Sequence, residues 1–324
     1  MIRFILIAVG LVVLGAGAAI FFILNDRTDL DPYAGLFVDE PAKPGKVHVT
    51  SAGIATLVIT DGETTLMTDG FFTRPGMLDM LSDIAPDEAR IDAALKRLGV
   101  SKAAAIIPLH SHYDHAMDSP LVAQKTGAVL LGSPSSANVG RGAGLAEDRI
   151  IEAEYGTRYR FGSFTVEFYP STHVPLPNKG MTGPIDQPLT APAPVGAYKQ
   201  GKAYSVVIRH DSGTSLLVQG SAGYSEGALE GLDLDAVFLG AGGLGLQSAD
   251  YVQTYWAELV TRTNPELVVP IHWDDLFGPL DADLESSPRM IDNFGTTLDF
   301  MLYKANEEGR AVKLLQGFSG VTLD

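Results

Sequence analysis

Cysteine is absent from the 324-residue chain. That absence excludes disulfide frameworks, thiol nucleophiles, Cys-ligated zinc or iron–sulfur sites, and lipid attachment through cysteine. Any metal held here rests on imidazole, carboxylate and water. Positive charge is also scarce: 23 Lys and Arg stand against 39 Asp and Glu, a formal net charge of −16. A surface for nucleic acid needs clustered Lys and Arg, so no nucleic-acid partner is expected. Charged residues make up 19% and apolar ones 46%, a balance that buries a core rather than staying disordered. No internal repeat and no low-complexity tract is visible.

One long apolar run is present. Phe4 to Leu24 is 21 residues without a charge, and as a helix it would span roughly 31 Å, the thickness of a bilayer's hydrocarbon core. Arg3 precedes it; Asn25, Asp26 and Arg27 follow. The length favours an uncleaved anchor over residues 1–27, with the N-terminus inside an inner (cytoplasmic) membrane and the rest outside as a periplasmic domain. The alternative is a cleaved signal peptide, with Ala16-Gly17-Ala18 as its small-residue site and a secreted or periplasmic product. Residues 28–45 are polar, with three prolines and several carboxylates, and read as a tether.

From residue 46 to 324 the pattern becomes short apolar runs between turn signals, a layered α/β domain. Ile54–Thr60 and Thr64–Thr68, split by Asp61-Gly62, predict a β-hairpin. Ile91, Leu95 and Leu98 predict a helix stopped by Gly99. Strands are expected at Ala103–Pro108, Gly127–Leu131, Thr157–Phe161, Thr165–Tyr169, Tyr204–Arg209, Ser215–Gln219, Ala236–Leu239 and Leu267–Ile271. Helices are expected at Ser119–Gln124, Asp250–Thr261 and Ile291–Ala305. The Pro- and Gly-rich stretch Val174–Lys202 reads as a long loop closing over a site.

The seven histidines carry the chemistry. His110-Ser111-His112-Tyr113-Asp114-His115 follows an apolar strand and holds four possible ligands in six residues. Side chains at i and i+2 of extended chain point the same way, so His110 and His112 can grip one ion. A turn then carries Asp114 and His115 to a second position. His173 and His272 also follow predicted strands, so all can converge on one sheet edge. Imidazole with carboxylate and no thiolate suits zinc, with manganese or iron as alternatives. His48 and His210 have no such setting and read as structural. Gly240-Ala241-Gly242-Gly243-Leu244-Gly245 matches a dinucleotide fingerprint, but the expected second strand and acidic ribose ligand do not follow it. That loop is expected to wall the metal cleft instead.

With these residues in order, the chain resembles the metallo-β-lactamase superfamily, whose motif is His-x-His-x-Asp-His followed by two distant histidines. The resemblance covers residues 46–324 and implies a four-layer αββα sandwich with a metal site along one edge. It implies one metal at His110, His112 and His173 and a second at Asp114, His115 and His272, one or two zinc ions in all. It also implies that Asp69 orients a ligand histidine. Tyr113 and Ser221 are candidates to contact substrate or bound water, with a packed Tyr113 as the alternative. The implied reaction is attack by metal-activated hydroxide on an ester, lactone, thioester or phosphodiester bond, with Asp114 orienting the nucleophile and carrying a proton. Di-iron oxidoreductases of the superfamily carry Glu where His112 stands, which favours a hydrolase. One departure is Ser221, in a place where most superfamily hydrolases carry a metal-bridging Asp. Two other outcomes remain: from Ser221, an envelope metal-binding protein with little catalysis, and from the anchor, the tether and the apolar loop residues Val174, Leu176, Met181 and Leu189, a membrane-lipid (phospho)diesterase. The partner is a small-molecule or lipid substrate.

Overall fold

The computed structural model describes residues 22–175 and 179–323. The strands are, in chain order, β1 (Val47–Ser51), β2 (Leu57–Thr60), β3 (Thr65–Thr68), β4 (Asp83–Ile84), β5 (Ala105–Ile107), β6 (Val129–Gly132), β7 (Ile150–Glu152) and β8 (Arg158–Phe161). They continue as β9 (Phe164–Pro170), β10 (Ala193–Pro194), β11 (Tyr204–His210), β12 (Ser215–Gln219), β13 (Ala236–Gly240), β14 (Leu267–Ile271), β15 (Ala311–Val312) and β16 (Gly320–Leu323). The helices are α1 (Glu88–Leu98), α2 (Tyr113–Ala116), α3 (Ser119–Thr126), α4 (Pro134–Gly142), α5 (Ala249–Trp256) and α6 (Phe294–Glu308). One sheet runs β16-β1-β2-β3-β5-β6-β7 and the other β15-β14-β13-β12-β11-β9-β8.

Alternation along the strands explains the layering. Leu57, Ile59 and Leu66 of the first sheet face Val206, Ile208 and Phe238 of the second in one buried cluster. Their neighbours point outward: Val58, Met67 and Ile106 meet α1 and α3, while Val207, Val237 and Val268 meet α5 and α6. Sheets buried on both faces read as continuous apolar runs, which is why most of these strands are visible in the sequence. The result is helix, sheet, sheet, helix. The predicted hairpin forms with Val58 opposite Met67, and Asp61 accepts from the Glu63 and Thr64 amides to close its turn. Gly99, at φ 68°, ends α1 as expected.

Two segments differ from the expectation. Residues 28–45, expected as a tether, lie along the domain, and so does Arg27 before them. Arg27 pairs with Asp275 at 2.7 Å, Phe37 meets the Trp273 ring edge, and Glu40 pairs with Lys313 at 2.6 Å. The polar residues that suggested a solvated linker are thus the groups that bind it down. The Val174–Lys202 stretch is an irregular wall, not a free lid, over its described residues. Ser111 donates its amide to Gln200 and its hydroxyl to Lys199, Asn138 donates to Ile185, and β10 pairs with β4. The expected N-terminal transmembrane helix falls mainly in residues 1–21, outside the described residues. Among the described residues, no helix is long and apolar enough to cross a membrane.

The loop after β3 is fixed by one buried acid. Asp118 accepts from the Phe72 and Thr73 amides and from the Thr73 hydroxyl. Asp118→Ala would strand three buried donors, and a loss of about 2–3 kcal/mol is expected. Asp118→Asn, whose oxygen can still accept both amides, should recover most of it. Urea unfolding of the two variants beside the parent chain checks the order; equal losses would refute it.

Candidate metal centre

Five strands of the two sheets deliver the polar side chains to one edge. β3 ends beside Asp69, β5 leads to His110, β9 leads to His173, β12 ends beside Ser221, and β14 ends beside His272. Asp69 and His272 hold left-handed backbone, at φ 54° and 57°. Such strain in non-glycine residues persists only where surrounding bonds enforce it. For His272 those bonds are explicit: its amide donates to the Ile54 carbonyl, and the Ile54 amide donates to Asp274.

The structure gathers His110, His112 and His173 into one group and Asp114, His115 and His272 into another. Within each group the possible ligand atoms lie within 4.8 Å of one another. The His110 and His115 rings, one from each group, are 3.8 Å apart. Asp114 Oδ2 stands 3.3 Å from His115 Nε2 and 3.2 Å from His272 Nε2. His48 and His210 lie elsewhere, against Thr322 and against Asp61 and Ser212.

Each histidine's second nitrogen fixes which atom faces the centre. His112 Nε2 meets the Met181 carbonyl, leaving Nδ1 toward His110 Nε2 at 3.1 Å. His173 Nδ1 donates to the Val174 carbonyl, leaving Nε2. His115 Nδ1 donates to Asp69 Oδ2 at 2.7 Å. His115 Nε2 is then buried with no hydrogen-bond partner. His110 Nε2 facing His112 Nδ1, and His115 Nε2 without a hydrogen bond, are buried polar atoms that are costly unless a cation lies beside them. The residues therefore fit a divalent metal.

The charge balance agrees. Burial lowers His110 well below the ordinary imidazole value, helped by the charges of His115, His112 and His173. Burial and His112 bring His173 down to about 3, and burial lowers His112 against the pull of Asp114. These three are neutral, as metal ligands must be. At His115 burial works downward, but Asp69 and Asp114 outweigh it and raise the imidazole to about 10. Burial raises Asp114, yet His115 and His272 hold it well below the usual carboxylate range. A proton on His115 thus occupies the place that a cation would take.

Ser221, a neutral hydroxyl, lines the same cleft as His112, Asp114, His173 and His272. Its hydroxyl accepts from the Val174 amide at 3.1 Å, so it steadies the turn that carries His173. Tyr113 packs edge-on against Phe71 and lines the cleft that opens over both groups. That cleft has a volume of about 690 Å³, with walls including Val174, Met181, Gly242, Leu246 and Ile291. Burial raises the Tyr113 phenol, so it stays protonated.

The glycine-rich loop forms part of that wall. Its Gly243 and Gly245 amides donate to Asp292, so the donors that a nucleotide phosphate would need are taken by a carboxylate of the chain. A Cβ on Gly242 would lie 2.6 Å from His272 Nδ1; glycine there lets the loop approach the ligand. Three residues that brace the loops around the centre were not singled out in the sequence: Asp274, Asp292 and Arg74. Asp274 stands two residues after His272, the one local signal available. Nothing near Arg74 marks it.

No family model matches the chain. A UPF0173 metal-dependent hydrolase of Methanopyrus kandleri is 24% identical over 202 residues, 62% of this chain and 80% of that protein. A possible metal-dependent hydrolase from Veillonella parvula superposes with a TM-score of 0.54 at 16% identity, over 86% of this chain and 100% of the other. Igni18, a metallo hydrolase of Ignicoccus hospitalis, gives 0.51 at 15% identity, over 86% and 99%. The metallo-β-lactamase fold protein YhfI of Bacillus subtilis gives 0.50 at 12% identity, over 86% and 100%.

Proposed function

From the metallo-β-lactamase fold of this chain we propose that it is a metal-dependent hydrolase, acting on an ester, lactone, thioester or phosphodiester bond with zinc as its metal. The observation that carries the proposal is the pairing of two three-residue ligand groups, His110/His112/His173 and Asp114/His115/His272, beneath one open cleft. Bound there, a divalent metal supplies Lewis acidity that ionises water near neutral pH and steadies negative charge on the substrate. The remaining work falls to the chain. Asp114 is the lone carboxylate among the six, is held anionic, and lines the cleft; it orients water and moves a proton to the leaving group. Asp69 locks His115 by its Nδ1 proton. Tyr113, kept protonated, can donate to a substrate oxygen, as can Ser221, whose hydroxyl proton is not used in holding Val174.

The uncharged run Phe4–Leu24 supports a position at a membrane, with the N-terminus inside and the catalytic domain outside. The test of function is metal removal. Purified protein is assayed on ester, lactone, thioester and phosphodiester substrates before and after chelation, and again after zinc is restored. Turnover should vanish with the metal and return with it. Turnover that survives complete removal refutes the proposal. Metal-loaded protein inert on every bond type would leave a metal-binding role without catalysis.

A further inference from the structure

Loops that leave the metal-bearing sheet edge carry a group of exposed apolar side chains. Met77, Leu78 and Leu81 follow β3, Leu246 follows β13, and Met290 and Ile291 follow β14; Leu78 is 80% and Leu81 86% exposed. Two hollows and two backbone bonds relate these positions. In the first bond the Leu81 amide donates to the Leu78 carbonyl one turn before it. Leu24 lines a hollow of about 640 Å³ together with Met77, Leu78, Phe277 and Pro288. The Arg289 amide donates to the Asp26 carbonyl, which sets Met290 beside the same strap. Ile291 and Leu246 then line the metal cleft itself. Apolar side chains therefore recur from the end of the uncharged run Phe4–Leu24 to the mouth above the metal ligands, with Asp283 and Glu285 among them in the first hollow.

Scattered apolar side chains on a surface are ordinary, but a set gathered beside a cleft marks a binding face. The occupant is indicated by where the set begins. The uncharged run meets the described chain at one end of the rim, and a run of that length suits a bilayer. Basic residues do not supply the attraction: Arg27 is paired with Asp275 and Glu285, and Arg289 lies against Asp26. Apolar insertion is left as the source of binding, without a need for anionic lipid.

We propose that this rim rests on a lipid bilayer and that the substrate is a membrane lipid, hydrolysed at a carboxylic or phosphoric ester after its head group enters the cleft from the bilayer surface. Water's oxygen bonds to the acyl carbon or phosphorus, the bond to the lipid's alcohol oxygen breaks, and the water proton passes to that alcohol. The proposal rests on the hydrolase reading above and adds the substrate class.

The absence of cysteine provides the test. Leu81→Cys, Met290→Cys and Glu63→Cys, each in the full chain, give three proteins with a single thiol for a polarity-sensitive fluorophore. Glu63 lies in the β2–β3 turn, at the opposite edge of the sheet. In phosphatidylcholine vesicles, probes at 81 and 290 should shift to the blue and be quenched by brominated acyl chains, and the probe at 63 should do neither. All three behaving as in water overturns the rim. In the same vesicles, Leu78→Ser/Leu81→Ser/Met290→Ser should lower lipid hydrolysis at least tenfold and leave hydrolysis of a short water-soluble ester unchanged. Turnover of the soluble ester with none of vesicle lipid overturns this inference alone. With metal bound and neither turned over, the hydrolase reading fails and takes the lipid substrate with it.

Discussion

Asp114→Asn is expected to cut hydrolysis by roughly 10²–10⁴-fold, the range for losing a group that transfers protons in the transition state. It should also remove the metal of the Asp114/His115/His272 group and spare the ion at His110, His112 and His173. The reason is charge. Six side chains converge here, and Asp114 alone among them is an anion; its Oδ2 lies within 3.3 Å of both His115 and His272. An amide keeps the shape but offers a neutral oxygen, a far weaker partner for a cation. The fold should survive, because Asp69 still holds His115 through Nδ1. Metal per chain and kcat/KM, measured together, decide the matter. Full activity with full metal content would remove Asp114 from the mechanism. Ser221→Asp is the converse variant: its carboxylate can still accept from the Val174 amide while adding a negative charge near both groups. Tighter retention of the second ion during dialysis is expected from it.

The centre was legible in sequence because its ligands follow strands. β5 and β14 are buried on both faces and read as unbroken apolar runs, while β9 alternates, with Phe164, Val166 and Phe168 inward; a histidine follows each. What stayed hidden depends on pairing over long distances. β1 and β16 form with Val49 opposite Val321, and β16 carries no local sign of its partner. α4, with sequence PSSANVGRG, has poor intrinsic helix propensity; it is started by the Ser133 hydroxyl accepting from the Ser136 amide. The strap at residues 28–45 misled for the same reason. Its carboxylates and prolines are typical of a linker, and only the fold shows that Lys313 awaits it, and Asp275 the Arg27 before it.

The group least visible in the sequence has the largest expected effect on stability. Arg74 and Asp274 form an ion pair at 2.6 Å, and each side chain is 2% exposed. Arg74 also donates to the Asp275 and Gly278 carbonyls, binding the loop after β3 to the loop after β14. Gly53 makes room for this contact: a Cβ there would collide with the Arg74 guanidinium. Asp274 in turn accepts from the Ile54 amide, and the Ile54 carbonyl accepts from His272. Arg74 therefore positions a ligand without approaching the metal. Arg74→Met would leave Asp274 buried and unpaired, and breaking a buried pair from one side costs about 3–5 kcal/mol. His272 should loosen as well, so the second metal is expected to dissociate more readily while the ion at His110, His112 and His173 is retained. Arg74→Met/Asp274→Asn removes the stranded charge and keeps an acceptor for the Ile54 amide. It should recover much of the stability, and metal retention should recover with it if the Ile54 link is what holds His272. Urea unfolding and metal release, followed on both variants, separate the two effects. A loss under 1 kcal/mol for Arg74→Met, with the second ion held as firmly as before, would show that His272 keeps its strained backbone without this pair.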